Sequence, residues 1–570
     1  MTSEPIDASS DRQARAVDLI AGAFVVASAR LDPIEATFVG IAEEGVASSL
    51  TDFSPAGFAE RAELDRATLR QLAAVAPADE SERVAVEAMT ERLSLAVELG
   101  DAGIPQSQLS VIDSPLHSVR EVFDLADSDT EEDWVAIATR LRGVPAALAG
   151  YTSTLREYAG AGQVTSRRQV AAVLEQIAGW TEPGEDVFSD LVGGAKDNHP
   201  SLTNDLTAAA ATATAAVAEF GDFLRTELAP QAREQDAVGR EIYALTSRAF
   251  LGETIDLEET YLWGFVELAR IEEQMHFVAA QITGSPDIDA AVAALDADPT
   301  TRIAGKDAFR DWMQARSDEA VDALAGTHFD IPDPIRRLDC RIAPVNDGGV
   351  YYTGPSEDFS RPGQMWWSVP KGVDEFSTWR ELTTVYHEGV PGHHLQIAQT
   401  AYRRDLLNRW QRMSCWVSGH GEGWALYAER LMDDLGYLDD PAAKLGMLDS
   451  QGFRATRVIL DIGLHLQLPI PADNPFGFHP GETWNPELGW EFLTQHARLD
   501  HASLRFELAR YLGWPGQAPS YKVGERVWLD VRDEARRAQG ADFDLKTFHR
   551  RALDLGSIGL APFRAAMARP

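Results

Sequence analysis

A chain of 570 residues, 45% hydrophobic and 25% charged, is long enough for a large core and has the balance of a soluble globular protein. Its formal charge of −38 repels phosphate backbones and anionic headgroups, which argues against nucleic acid and membrane surfaces as partners. Two cysteines, Cys340 and Cys415, are too few for a disulfide framework and read as buried thiols of a reducing compartment. Met1 to Arg15 is polar and net acidic, without the basic start and apolar core of a signal peptide, so a cytoplasmic protein is expected.

Residues 1–11 read as disordered. From Asp11 to about Leu324, apolar residues recur at three and four, as in Val17, Ile20, Ala21 and Phe24, predicting helix after helix. Breaks are expected at Ser54-Pro55, Pro77, Gly103-Ile104-Pro105, Gly143-Val144-Pro145 and Gly194. His199 and His276 stand alone and read as structural, and the acidic run from Glu241 to Glu267 as a solvated helix face. Ile331-Pro332-Asp333-Pro334 marks a boundary, with an N-terminal helical lobe over 1–333 and a catalytic lobe over 334–570; one intertwined unit is the alternative.

Past that boundary the apolar period changes to two. Leu338-Cys340-Ile342, Val350–Thr353 and Met365–Val369 predict three strands, separated by turns at Asn346-Asp347-Gly348-Gly349 and Arg361-Pro362-Gly363. This small antiparallel sheet is either a packing platform or an edge that pairs with an extended peptide, which makes Tyr351 and Tyr352 substrate-binding candidates.

Thr378-Trp379-Arg380-Glu381 has the form of a capping box and opens a helix carrying Tyr386, His387 and Glu388. In the familiar zinc-peptidase helix a second histidine follows the first by four; here that place is Pro391, so Pro391-Gly392 must kink or interrupt the helix. His394, seven after His387, shares its helix face and is the favoured second ligand; a looped-out Gly389–Gly392 favours His393 instead. Glu388, beside a ligand, is the candidate general base. A helix expected to start near Gly421 brings Glu422 as the carboxylate ligand, completing the two-His, one-Glu set of catalytic zinc. Glu429, seven further on the same face, would orient a histidine.

His387-Glu388-Gly389-Val390-Pro391-Gly392-His393-His394-Leu395-Gln396, with Glu422-Gly423-Trp424-Ala425 downstream, resembles the bacterial domain-of-unknown-function 885 family. The resemblance extends to Asp461–His465 and Ser520–Gly524. It implies a place near the gluzincin-type zinc metallopeptidases. It also implies a mainly α, two-lobed body with a deep cleft, similar to angiotensin-converting enzyme, thimet-type oligopeptidases and the Taq-type carboxypeptidase. Short peptides are the implied substrates, with small amides as the alternative, and a helical binding protein with no activity is the further one.

Downstream, Arg457 and Asp461 have i,i+4 spacing, and Asp461 could orient His465, a candidate for the active cleft. Tyr521, on a Pro-Gly-rich loop that opens a helix, is the candidate oxyanion donor. It lies 99 residues after Glu422, about where the angiotensin-converting-enzyme type implies its tyrosine. Lys522 could pair with a substrate carboxylate.

Overall fold

The computed structural model describes residues 14–184, 186–195, 199–343 and 349–569. Residues 1–11, expected to be disordered, and the expected turn residues Asn346 to Gly348 lie outside these. Helix accounts for 67% and strand for 5%, so the fold is mainly α with two small sheets. Many helices start where the sequence places a cap: Ser54 and Asp79 accept from the third amide of the helices Pro55–Leu72 and Glu80–Asp101.

One expected break is absent. Helix Glu131–Gly160 runs through Gly143-Val144-Pro145 without interruption. A capping box at Thr130 and Asp133 fixes its start, and Leu141, Val144, Leu148 and Tyr151 are fully packed around the proline. Tertiary burial there outweighs the lost backbone hydrogen bond.

The hydrophobic clusters cut the chain differently from the boundary expected near 333. The largest joins Val17–Leu93 to Tyr243–Ile335 and to Trp379–Met567, so both sides of the boundary share one core. A second lies within Ile34–Ala232. A third is small and positions the site. It packs the sheet against Phe309 and Met313 of helix Lys306–Leu324 and against Val385 of helix Thr378–Glu388.

The described residues form five strands, β1 (Arg302–Ala304), β2 (Leu338–Ile342), β3 (Val350–Thr353), β4 (Gly363–Trp367) and β5 (Glu375–Ser377). Three of them are the expected ones, but their sheet is mixed rather than antiparallel. Its order is β2-β4-β3, with β2 parallel and β3 antiparallel to β4. The reason is burial. β4 carries the most enclosed side chains and takes the centre, which leaves β2 and β3 one edge each. The outer edge of β2 is closed by Gln314, whose amide donates to Leu338 O at 2.8 Å and accepts from Cys340 N at 3.0 Å. β1 and β5 form a separate two-stranded antiparallel pair, too short to leave an alternating pattern in sequence.

Four helices build the site: the His387 helix (Thr378–Glu388), the His393 helix (His393–Tyr402), the Glu422 helix (Ser418–Asp434) and the Arg454 helix (Pro441–Leu466). The Glu422 helix crosses helix Ser520–Gln539 with their backbones almost touching. A Cβ on Gly524 would lie 1.9 Å from Gly419 O, and one on Gly423 would lie 2.4 Å from the carbonyl carbon of Gly524. Only glycine permits this approach. We expect Gly524→Ala to force the helices apart and to destabilise the protein by about 1–3 kcal/mol or more, measured by chemical denaturation.

Candidate metal centre

The His387 helix does not begin with a capping box. Its N-cap is Ser377, without a side-chain cap bond, and Thr378 Oγ1 donates instead to Thr301 O at 3.0 Å, tying the helix to the segment that leads into β1. The helix ends at Glu388. Gly389 to Gly392 then form a turn containing a cis Val390–Pro391 peptide bond, and a new helix starts at His393. Gly392 N donates to Tyr386 O, and His394 N to Gly389 O, each at 3.1 Å. A Cβ on Gly392 would fall 1.9 Å from His387 O, so this turn closes only around glycine. Trp424 Nε1 donates to Pro391 O at 2.8 Å and contacts Gly392 O at 3.2 Å, fastening the turn to the Glu422 helix.

The turn decides which histidine faces His387. The rings of His387 and His393 lie 4.8 Å apart at 87°. Glu422 Oε2 stands 3.3 Å from His387 Nε2 and 3.4 Å from His393 Nε2. His394, favoured from helix-face geometry, is turned away. Its Nε2 donates to Ile335 O at 2.6 Å and its Nδ1 accepts from Tyr352 Oη at 3.0 Å, so neither nitrogen is free. Helix-face geometry holds only along one continuous helix, and the turn removes that premise. Tyr352 is thereby held by His394 rather than offered to a substrate, and Tyr351 stacks on Trp366 with ring centroids 6.2 Å apart.

On the Glu422 helix, Glu422 and Glu429 share a face two turns apart and address opposite nitrogens of one imidazole. Glu429 Oε1 accepts from His387 Nδ1 at 2.7 Å, while its Oε2 accepts from Thr383 Oγ1 at 2.6 Å. Glu388 is also buried against this cluster, within 4.8 Å of ligand atoms of both His387 and His393, and its Oε2 has no partner among the described residues. Glu422 is the closer carboxylate and bridges both imidazoles, which leaves Glu388 as the free one.

The electrostatics call for a cation. Burial alone would push His387 down, but hydrogen bonds from Glu422 and Glu429 and the nearby carboxylate charges raise it to about 10. Burial would likewise raise Glu422, yet the charge of His393 and hydrogen bonds from both imidazoles hold it well below the usual carboxylate range. Glu388 is raised, chiefly by burial and also by Glu422, against the charges of His393, His387 and Arg454. Arg454, whose charge thus reaches the cluster, has a buried Nε with no partner among the described residues.

Other expected site residues lie elsewhere. Lys522 is fully buried, its Nζ held by Gln451, Glu267 and Glu525, and it cannot meet a substrate carboxylate. His465 is also fully buried; its Nε2 donates to Tyr511 O at 2.8 Å, and burial pushes it down to about 4. Asp461 does not orient it, accepting instead from Tyr243 Oη at 2.6 Å and Gly516 N at 2.8 Å. Nor does Asp461 pair with Arg457, which bonds Glu507 at 2.9 Å. Tyr521 lies under the Arg457 guanidinium, 4.9 Å from its ring, with Arg510 Nη2 3.5 Å from its hydroxyl. No hydrogen bond among the described residues joins it to the Glu388 cluster. Sequence reading misses Thr383, one turn before His387, and the hydrogen bond of Trp424 to the turn. A buried indole N–H that needs an acceptor is the available signal.

A family model described as a bacterial protein of unknown function, DUF885, matches residues 33–567, and the chain belongs to that family. No curated protein matches it. Among solved structures, it is similar to a protein of Colwellia psychrerythraea described as a putative lipoprotein. The TM-score is 0.80 and the identity 22%, covering 98% of this chain and 99% of the other. A putative lipoprotein of unknown function from Shewanella oneidensis matches with a TM-score of 0.71 and 18% identity, over 98% and 100%. These likenesses establish a shared fold. No helix among the described residues is long and apolar enough to cross a membrane.

Two outcomes are expected from this geometry. Trp424→Phe, which leaves the buried Pro391 O without its donor and Gly392 O with Gln396 N alone, should lower metal affinity about 10–100-fold in a protein that still folds, read by competition with a chelating dye. Because His387 stays protonated below about pH 10 without metal, metal uptake must displace a proton. Calorimetry in buffers of different ionisation enthalpy should show that release at neutral pH, with apparent affinity rising as pH increases.

Proposed function

We propose that the protein is a zinc-dependent hydrolase of peptide or related amide bonds, with His387, His393 and Glu422 as the metal ligands. One observation carries the reading. Ligands bound tetrahedrally at about 2.05 Å are about 3.35 Å from one another. The two measured imidazole–carboxylate separations are 3.3 and 3.4 Å, long for charged hydrogen bonds and equal to that tetrahedral edge. Two imidazoles and a carboxylate suit zinc better than magnesium or calcium. Two consecutive helices supply His-Glu and His and a third supplies Glu, the arrangement on which we rest the gluzincin-type reading of the motif.

Bound there, zinc would polarise a scissile carbonyl and acidify water. The remaining chemistry belongs to the chain. Glu388, buried and without a partner at Oε2, accepts the proton of the attacking water and returns it to the leaving amine. Its raised affinity for protons, from burial, suits both halves of that task. Glu429 fixes the ring of His387 through Nδ1 and is itself fixed by Thr383. Arg454 is the donor we assign to the developing oxyanion side, because its charge reaches Glu388. The unpaired buried thiols Cys340 and Cys415 are compatible with a reducing, cytoplasmic setting.

Glu388→Gln should bind zinc in the same ratio as the parent and lose about 10²–10⁴-fold in hydrolysis of a short-peptide panel. Glu422→Gln should lose the zinc itself, as measured by elemental analysis after dialysis. Hydrolysis that survives Glu388→Gln in a metal-loaded sample would remove this reading. Cleavage of acylated amines with no cleavage of peptides would favour a small-amide substrate.

A further inference from the structure

Six arginines bury an Nε that has no partner among the described residues: Arg15, Arg316, Arg403, Arg412, Arg454 and Arg510. Five of them pair with a carboxylate through another nitrogen. Arg454 alone pairs with none among the described residues. Its Nη1 donates to Ser450 Oγ and lies 3.4 Å from Ser450 O, which fixes the plane of the guanidinium. Its Nε and Nη2 make no hydrogen bond among the described residues. Those two nitrogens form one edge, and its parallel N–H groups match the two oxygens of a carboxylate. The chain uses the same edge elsewhere: Arg156 clasps Glu227, and Arg270 clasps Glu267, each through Nε and Nη2 at 2.7 Å. A guanidinium cannot shed its charge when it is partly buried, so an unpaired one favours an anion.

Helix packing puts this residue at the candidate centre. Gly446 of the Arg454 helix backs onto Trp379 O of the His387 helix, and Asp449 pairs with Arg380 at 3.1 Å. Farther along, Gln451 Nε2 donates to Leu426 O of the Glu422 helix at 3.3 Å. The Arg454 and His387 helices therefore run side by side in one direction. Eight residues on from Gly446 and Trp379, about 12 Å along each axis, Arg454 stands level with His387. Its charge is felt at Glu388 accordingly. The next guanidinium, Arg457, lies over the ring of Phe453, 4.5 Å from its centre, and Arg454 lies 5.8 Å from the same ring. Arg457 and Arg510 are both answered by Glu507, and Asp461 faces them too. Arg454 is the member of this group without a carboxylate of its own among the described residues.

We propose that the Nε–Nη2 edge of Arg454 binds a carboxylate of the substrate, beside the scissile bond. The word substrate rests on the hydrolase reading. A guanidinium has five N–H donors, and this use of the edge is compatible with the oxyanion. Ser450 takes Nη1, the carboxylate takes Nε with one N–H of Nη2, and the second N–H of Nη2 remains for the oxyanion. An extended peptide advances about 3.3–3.6 Å per residue, so an arginine that reaches both groups places the carboxylate within one residue of the cleaved bond. Its source is a free carboxyl terminus or the side chain of aspartate or glutamate. The overall charge of −38 opposes anions beyond about one Debye length, but contact with a paired edge is screened far less.

The test uses the full, zinc-loaded chain. In calorimetric titration, 3-phenylpropanoate should bind at least about tenfold more tightly than 3-phenylpropan-1-ol. Arg454→Gln should abolish that preference with zinc content unchanged. Arg454→Lys keeps the charge and the packed stem but lacks the two-pronged edge, so it should retain only part of the preference, and it carries the test if the glutamine variant does not fold. Equal binding of the two probes by the parent overturns the proposal. A preference undiminished in either variant also overturns it, because the carboxylate is then held by the metal. Paired peptides identify the source: free carboxyl terminus against its amide, and glutamate against glutamine beside the bond. Neutralising the recognised group should lower kcat/KM at least about tenfold in the parent. In Arg454→Gln, loss of an oxyanion donor lowers both members of a pair alike, whereas loss of the carboxylate site erases the difference between them. A difference that persists in full overturns the subsite, and so does equal cleavage within every pair by the parent. Cleavage of no peptide, with the Arg454-dependent preference for carboxylate intact, overturns the hydrolase reading and leaves the anion site standing.

Discussion

The indole hydrogen of Trp424, shared between Pro391 O and Gly392 O, is the contact on which the centre depends. In the turn from Gly389 to Gly392, Gly389 O accepts from His394 N and Gly392 O from Gln396 N, while the buried Pro391 O has no backbone donor among the described residues and needs one from a side chain. Trp424 supplies it from the same helix that carries Glu422. One helix therefore sets both the turn that aims His393 and the carboxylate that meets it. The placement of that helix rests in turn on its glycine crossing with Gly524, because any side chain there would lift Glu422 away from the imidazoles.

Charge explains why the cluster is so tightly built. Glu388 and Glu429 are buried, and Glu422 is mostly so, beside the imidazoles of His387 and His393. Buried carboxylates are tolerated only when paired. Without metal, a proton on His387 serves, and this is why that ring is raised rather than lowered by its surroundings. At the proposed centre, a metal dication would take the same place. Glu388 is the exception: its partnerless oxygen is an unsatisfied buried acceptor. Such groups are rare in folded proteins and concentrate where a reacting species is to be met.

Much of this was legible in the sequence. His387 and Glu388 are distinguished by residue type, and Glu422 and Glu429 also by a seven-residue spacing that sets one face of their continuous helix. Three strands were readable from their alternation. What failed shares a single cause, which is dependence on distant partners. His394 sits on the right face of a helix that does not continue. Lys522 looks like a free cation until Glu267, 255 positions earlier, is brought to it. Asp461 has a histidine at i+4 but a better donor in Tyr243. The order β2-β4-β3 follows from which strand is most buried, and that is settled by helix Lys306–Leu324 rather than by the strands.

The two-residue insertion has a further consequence. When two histidines are four apart on one helix, local backbone geometry holds the ligands in place, and their spacing survives changes in the surrounding packing. Here His387 and His393 are six apart across a break, joined locally by the turn's own bonds, Gly392 N to Tyr386 O and His394 N to Gly389 O, rather than by a continuous helix. His393 is aimed by Trp424 from one side, while its neighbour His394 is anchored to Ile335 O and Tyr352 from the other, so the start of the second helix is clamped at both ends of a dipeptide. Tyr352 comes from β3, whose sheet packs on the His387 helix through Val385. The sheet thus takes the part of a platform: it sets the distance between the two half-helices that a continuous helix would have set by itself. A centre of this kind is coupled to the global fold, and the binding energy of the proposed metal would be transmitted to the sheet, the Glu422 helix and the turn together.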